Sequence, residues 1–271
     1  MQVTHIKIKK ISVGSLSETD DELAVEQPLE IRLAWQGDAG YVQQKISVTL
    51  RTPGNDEELA AGFLYTEGIV QERKMIRQVD VTGNHVVVTL KEGFVPMLDG
   101  VQRNFAATAS CGVCGKTDLD AIYHQPLHSA SANNILLPAE LFYTLQQALQ
   151  HQQVLFEHTG GLHAAALFDF DGDCRLLRED IGRHNALDKV IGHAFLNERL
   201  PLQTSILLLS GRAGFELIQK AYMAGIPVIA AVGAPSSMAV ERAKECGITL
   251  IGFLREERFN VYTGWERIQS L

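Results

Sequence analysis

The sequence predicts an α/β protein in two parts: a smaller β-rich N-terminal domain over residues 1–135 and an α/β domain over 136–271. Two observations carry this. From Ser205 onward, short apolar runs alternate with helix-like stretches, the order expected of βαβ units. The first hundred residues instead show period-two alternation and turn clusters around one helical stretch. A chain of 271 residues is long enough to bury a substantial core.

In the N-terminal part, Ile6–Val13 and Gln44–Leu50 alternate apolar and polar side chains, as half-buried strands do. The turn cluster Arg51-Thr52-Pro53-Gly54 leads into a helix. Asn55 or Asp56 can cap it, Glu57 and Glu58 suit its positive end, and Leu59, Gly62 and Phe63 form its apolar stripe. Val79–Thr82 and His85–Leu90 flank Gly83-Asn84 and predict a hairpin. Ala106–Lys116, rich in small residues, reads as a loop, and Pro138–Gln150 as a helix with Leu141, Leu145 and Leu149 on one face.

In the second part, Ala164–Phe168 and Leu176–Arg178 predict paired strands around the turn Asp171-Gly172-Asp173, followed by a helix over Asn185–Leu196. Strands over Ser205–Ser210, Pro227–Val232 and Thr249–Leu254 then alternate with helices over Phe215–Ala224 and Ser237–Cys246. That order predicts a parallel sheet covered by helices.

Hydrophobic residues make up 46% of the chain and charged residues 21%, values that argue against long disorder. A net charge of −8 argues against a general nucleic-acid binder, which needs a basic surface. No apolar run reaches the length that spans a bilayer, and the first residues lack the apolar centre of an export signal. A cytoplasmic protein without membrane contact is expected, so its four cysteines are expected to be reduced.

Five segments carry candidate chemistry. In Ser110-Cys111-Gly112-Val113-Cys114-Gly115-Lys116, two thiols lie close enough for one to attack a sulfur held by the other, and Lys116 favours the thiolate. Sulfur relay, redox exchange and metal binding all fit that spacing. A structural zinc site needs about four ligands, and no second CxxC is present. In Thr159-Gly160-Gly161-Leu162-His163, the glycines allow His163 to approach a ligand, or form a plain tight turn. A zinc deaminase would place Glu two residues after this histidine, where the chain has Ala165.

The polar run Arg178–Lys189 reads as a solvated face or a site. Gly182 interrupts it and puts Arg183, His184 and Asn185 at a helix start suited to anions. Ser210-Gly211-Arg212-Ala213-Gly214-Phe215-Glu216 and Gly233-Ala234-Pro235-Ser236-Ser237 each follow a strand and open a helix, the position where open α/β sheets bind ligands. The last segment, Gly252-Phe253-Leu254-Arg255-Glu256-Glu257-Arg258-Phe259-Asn260-Val261-Tyr262, follows the final predicted strand at the same sheet end. Phe253, Phe259 or Tyr262 can stack on a base and Arg255 and Arg258 can hold phosphates, with core packing of the aromatics as the plain alternative.

Taken in order, these motifs resemble the FdhD family of formate dehydrogenase accessory sulfurtransferases. The likeness runs through Arg51-Thr52-Pro53-Gly54, Leu59–Gly68, Cys111-Gly112-Val113-Cys114-Gly115, Thr159–Ala165, Glu179–Lys189, Ser210-Gly211-Arg212 and Phe253–Tyr262. The resemblance implies a cytidine-deaminase-like α/β fold lacking the zinc ligands and the glutamate, so no zinc is expected. It implies a carrier that takes persulfide sulfur from a cysteine desulfurase on Cys111, with Cys114 assisting. The sulfur then passes to the molybdenum of Mo-bis-molybdopterin guanine dinucleotide, for the formate dehydrogenase catalytic subunit. Phe253–Arg258 matches the place where the family holds this cofactor. A homodimer is expected, because two copies can take the two guanine nucleotides of one cofactor. A non-catalytic cofactor chaperone and a zinc-dependent, deaminase-like hydrolase are the alternatives.

Overall fold

The computed structural model describes residues 2–98, 124–126 and 135–269. Strands β1 (Val3–Ser12) and β2 (Ser15–Ala24) form a two-stranded antiparallel hairpin. The strand expected over Ile6–Val13 forms but is not half-buried: among the described residues no third strand pairs with this hairpin, and Ile11 is 80% exposed. Strand β2 shows no apolar alternation. Its acids face lysines across the ladder instead, Asp20 opposite Lys7 and Glu18 opposite Lys9.

A four-stranded sheet follows, built from β3 (Gln27–Gly37), β4 (Gly40–Arg51), β5 (Ile76–Thr82) and β6 (His85–Leu90) in the order β4-β3-β6-β5. The predicted Gly83-Asn84 turn closes β5 on β6, with Gly83 at φ +57. Between β4 and β5, helix α1 (Asp56–Thr66) packs on this sheet. Its N-terminus differs from expectation. Asn55 adopts a left-handed conformation and makes no side-chain cap. The Asp56 carboxylate instead receives the buried Arg51 guanidinium in two bonds of 2.9 and 2.8 Å, because a buried cation needs a bidentate partner more than the helix needs a cap.

The second part begins with the short strand β7 (Leu137–Pro138), helix α2 (Ala139–Gln152) and helix α3 (Val154–Thr159). Then come β8 (His163–Phe168), β9 (Cys174–Asp180), α4 (Arg183–Leu196), β10 (Ile206–Leu209), α5 (Phe215–Met223), β11 (Val228–Ala231), α6 (Ser237–Glu245), β12 (Thr249–Gly252) and β13 (Asn260–Thr263). The chain returns as β14 (Ile268–Gln269), which pairs with β7. Strands β8 to β13 form one sheet in the order β13-β12-β11-β10-β8-β9.

The sheet is mixed rather than parallel throughout. Strands β10, β11 and β12 are parallel, whereas β8, β9 and β13 are antiparallel to their neighbours. A parallel connection takes about a dozen residues or more, and the links at 169–173 and 253–259 are shorter. The whole is a mixed α/β architecture.

The two faces of this sheet feed two cores. Leu207 and Leu209 of β10 pack with Leu29, Leu59, Val190 and Leu217, drawn from the N-terminal sheet, α1, α4 and α5. Ile206 and Leu208 pack with Phe142, Leu145 and Leu149 of α2 on the other face. The first core therefore joins the N-terminal sheet to the inner helices. Two glycines let α1 and α4 cross at backbone contact. A Cβ at Gly62 would stand 1.9 Å from the Asp188 carbonyl oxygen, and one at Gly192 would stand 1.8 Å from that of Glu58.

Candidate functional site

The C-terminal ends of β9, β10, β11 and β12 and the start of the antiparallel β8 meet at one end of the sheet. Most of the motif residues found in the sequence are brought there. Strand β8 opens on His163, β10 runs into Ser210-Gly211-Arg212, β11 into Val232–Ser236 and β12 into Phe253–Arg258. Helix α4 begins on Arg183 and His184.

Main-chain hydrogen bonds stitch the loops together. Gly233 N–H donates to Gly211 O at 2.9 Å, and Phe253 N–H to Gly233 O at 3.1 Å. Ala213 N–H donates to Ala234 O at 3.2 Å, and Ser236 N–H to Ala213 O at 3.0 Å. This approach requires Gly233, where a Cβ would stand 2.9 Å from the backbone of Arg212 and Gly211. At Gly211 a Cβ would meet His163 Nδ1 at 3.1 Å, so the β10 loop lies directly against the histidine. Ser210 Oγ accepts from Ala164 N–H at 2.8 Å and fixes the start of β8 beside that loop.

The site is electropositive near its centre. Burial pushes the His163 pKa below its ordinary value, and the positive charges of Arg183 and Arg212 push it further. His163 is thus neutral at neutral pH, and the two guanidinium groups sit close enough to act on it. Helices α4 and α5 start on Gly182 and Gly214, and neither of these residues gives a side-chain cap. His184 Nε2 lies 3.2 Å from Glu216 Oε2.

The last loop divides by role. Leu254 is fully buried in the second core, and its N–H donates to Ala231 O at 3.1 Å, so its side chain anchors the loop. Arg255 Nη1 donates to Val232 O at 2.8 Å and Leu254 O at 2.7 Å, which ties this loop to the β11 loop. Phe253, Glu256, Glu257 and Arg258 are exposed, and Phe253 holds a φ of +52, a left-handed conformation uncommon for a bulky residue. Such outliers cluster at ligand sites.

The polar run Arg178–Lys189 splits in two. Arg183 is near enough to His163 to act on it and His184 pairs with Glu216 of α5, whereas most of the remaining polar side chains tether the N-terminal part. Arg178 makes two bonds of 2.6 and 2.8 Å to Glu58 of α1. Asp180 accepts from Thr52 N–H at 3.2 Å and pairs with Lys189 at 2.7 Å, and Lys189 also donates to Thr52 O at 2.9 Å. Asn185 donates to Leu50 O at 2.7 Å. Glu179 accepts from Leu155 N–H and Phe156 N–H and so caps α3.

A pocket of about 420 Å³ adjoins His163 and Ser210 on the α2 side. Gln146, Gln150 and Gln153 line it, and Gln146 Oε1 is buried without a hydrogen-bond partner among the described residues. The sequence reading missed these three amides and gave Glu216, the last residue of its β10-loop motif, no role of its own. The i, i+4, i+7 spacing of the glutamines, a polar stripe beside the leucine face, is the signal that could have found them. Cys111 and Cys114 lie outside the described residues. Downstream of them, His124 O accepts from Gln219 Nε2 of α5 at 2.7 Å.

Comparison with known proteins gives one consistent answer. The model of the FdhD/NarQ family matches residues 24–269. The chain is 47% identical over 280 residues to the "Sulfur carrier protein FdhD" of Mycolicibacterium paratuberculosis, covering 99% of this chain and 100% of that protein. It is 40% identical over 271 residues to the protein of the same name in Sulfolobus acidocaldarius, covering 99% of each. Its fold resembles the crystal structure of a formate dehydrogenase accessory protein from Desulfotalea psychrophila, with a TM-score of 0.77 and 26% identity over 99% of this chain and 100% of that one. With a family match across nearly its whole length and relatives this similar, the chain belongs to the FdhD/NarQ family.

Proposed function

We propose that this chain is a sulfur carrier for formate dehydrogenase. It accepts persulfide sulfur on Cys111 from a cysteine desulfurase. It then delivers that sulfur to the molybdenum of Mo-bis-molybdopterin guanine dinucleotide, its bound substrate, before the cofactor enters the dehydrogenase catalytic subunit. In the loading step the Cys111 thiolate attacks the outer sulfur of the desulfurase persulfide. The S–S bond there breaks, the desulfurase cysteine leaves as thiolate, and Cys111 retains the sulfur as a persulfide. Cys114 assists transfer.

The observation that carries the cofactor half of this reading is the stitched end of the sheet. Three loops, held together by main-chain bonds, lie against a neutral His163, and Arg183 at the start of α4 and Arg212 in the β10 loop are both near enough to act on it. Phosphate groups suit such a place, with fixed cations and uncapped helix N-termini. His184, Gly211 and the exposed residues Phe253, Glu256, Glu257 and Arg258 complete the binding surface, with Leu254 and Arg255 shaping its backbone. The glutamine-lined pocket gives a guanine edge both donors and acceptors. The relatives' names support the sulfur half.

The mixed sheet and its helices serve on this reading as the deaminase-like scaffold that the resemblance implies. Ala165, where a deaminase would carry its glutamate, is fully buried in the first core, which favours sulfur transfer over the hydrolase alternative. We place the carrier in the cytoplasm as a homodimer, whose two-fold axis matches the paired guanine nucleotides of its substrate. No helix among the described residues is long and apolar enough to cross a membrane.

Intact-protein mass spectrometry after incubation with a cysteine desulfurase and cysteine tests the reading. The expected result is a gain of one sulfur that a reductant removes and that Cys111→Ala abolishes. No gain in the wild type beside an active desulfurase would overturn it in favour of a cofactor chaperone.

A further inference from the structure

Helices α4 and α5 share a two-rung ladder of opposite charges. In the first rung His184 Nε2 of α4 lies 3.2 Å from Glu216 Oε2 of α5, with side chains only 12% and 16% exposed. One turn further along both helices, Lys220 Nζ of α5 lies 3.0 Å from both carboxylate oxygens of Asp188 on α4. The signs alternate along each helix, so Glu216 also faces Lys220 and His184 also precedes Asp188 by one turn.

The second rung is fully buried, is joined by Thr66 and Glu67 of α1, and belongs to the packing of α1 on α4 and α5. The first rung lies at the helix starts, where α4 presents Arg183 and α5 follows the Arg212 loop. A carboxylate is an unusual requirement beside an anion site, since by itself it repels the ligand. It makes sense as a partner that keeps a neighbouring imidazole charged.

Resting on the cofactor reading above, we infer that Glu216 is a positioning residue. Its Oε2, 3.2 Å from His184 Nε2, holds the imidazole as imidazolium by charge pairing, so that the ligand's phosphates meet a third positive charge beside Arg183 and Arg212. Among the described residues, Glu216 is the carboxylate against His184 and itself faces Lys220 on α5, while Arg183 and Asp188 are the charged neighbours in sequence on the histidine's own helix. Arg212 precedes α5, and His163 on β8 is neutral at neutral pH.

The test has two parts on the full-length protein. In the first, the ring of His184 is titrated by two-dimensional NMR in ligand-free wild type and in Glu216→Gln. We expect the midpoint to fall by about one pH unit in the variant, the loss of one close carboxylate. An unchanged midpoint overturns the inference whether or not any ligand binds. In the second, guanosine diphosphate binding is measured by calorimetry from pH 5.5 to 8.5. Wild-type affinity should fall with rising pH. Glu216→Gln should match it at pH 5.5, yet bind about threefold more weakly halfway between the two midpoints and up to about tenfold more weakly above both, one unit being a factor of ten. His184→Gln should bind weakly with a flat profile.

An equal loss at every pH in Glu216→Gln assigns that residue a merely structural role and overturns the inference. If wild type binds no guanosine diphosphate at any pH, the nucleotide reading of the site falls, and the proposed purpose of the imidazolium falls with it. The NMR midpoints then still report separately on the pairing.

Discussion

Replacing Gly192 by alanine tests how the two parts of the molecule are joined. In an exposed helix this change would stabilise by about 1 kcal/mol, because glycine is the poorer helix former. Here the added Cβ would stand 1.8 Å from the Glu58 carbonyl oxygen and 2.8 Å from Gly62 N. Helices α1 and α4 must part by more than about 1 Å before that oxygen reaches even the shortest contact real Cβ atoms make, 3.0 Å. The obstruction is backbone, so no side chain can swing aside. Overpacking typically costs about 1–3 kcal/mol and occasionally more, and so rigid a contact belongs at the upper end. After the propensity gain is subtracted, the expected net loss is about 2 kcal/mol.

Urea unfolding of Gly192→Ala, Gly62→Ala and the double variant measures this. Once one methyl has forced the helices apart, the second finds room. The double variant should therefore lose less than the two single losses combined, by at least about 0.5 kcal/mol. Single variants within about 0.5 kcal/mol of wild type, the range of harmless surface changes, would refute the close crossing itself.

Three further outcomes follow from the same geometry. Lys220→Met leaves Asp188 buried without its cation and should cost about 3–5 kcal/mol at neutral pH. Burial already raises the Asp188 pKa to about 6 despite Lys220. Removing the lysine raises it further, and a folded-state carboxylate with a raised pKa loses stability as pH climbs through that value. The gap between variant and wild type should thus widen from pH 5 to pH 8 in urea titrations.

Glu58 behaves oppositely. Burial alone would raise its pKa, but hydrogen bonds from Arg178 and His193 hold it below the ordinary carboxylate value. Its contribution is present above its unfolded pKa and disappears as pH falls through the lower folded one. Glu58→Gln should therefore destabilise by about 1–3 kcal/mol at pH 7 and approach wild type in acid, as thermal melts across pH would show. In the last loop, Arg258→Ala should weaken guanosine diphosphate binding with little change in melting temperature, because its side chain is exposed. Leu254→Ala should cost about 2–5 kcal/mol of stability, because its side chain is part of a core.

The strand–helix alternation after Ser205 was legible because each element is long enough to show its own period. Strand β2 was not, since its paired acids carry no apolar alternation and its partner charges lie across the hairpin. The loops at the sheet end were legible as glycine and serine clusters after apolar runs. Their stitching was not, because it uses main-chain groups that every sequence has. The run Arg178–Lys189 looked like one site, yet Arg178 meets Glu58 and Lys189 meets Thr52, partners 120 and 137 positions away. No local pattern can separate such tethers from ligand contacts. Glu216 ended a motif yet had no legible role for the same reason, its imidazole partner lying on another helix.

The joining of α1 to the later helices also sets a timetable for synthesis. Tyr65 donates to Met223 O across 158 positions, and Thr66 meets Lys220 across 154. A ribosome adding roughly 5–20 residues per second makes α1 wait roughly 8–30 s for those partners. Until then the apolar residues Leu59 and Leu64, and the sheet they pack on, lack half their cover. Contacts this distant in sequence also close slowly once the chain is free. The nascent N-terminal segment is therefore the stage at which this protein is most exposed to aggregation, and the stage at which a chaperone has most to shield.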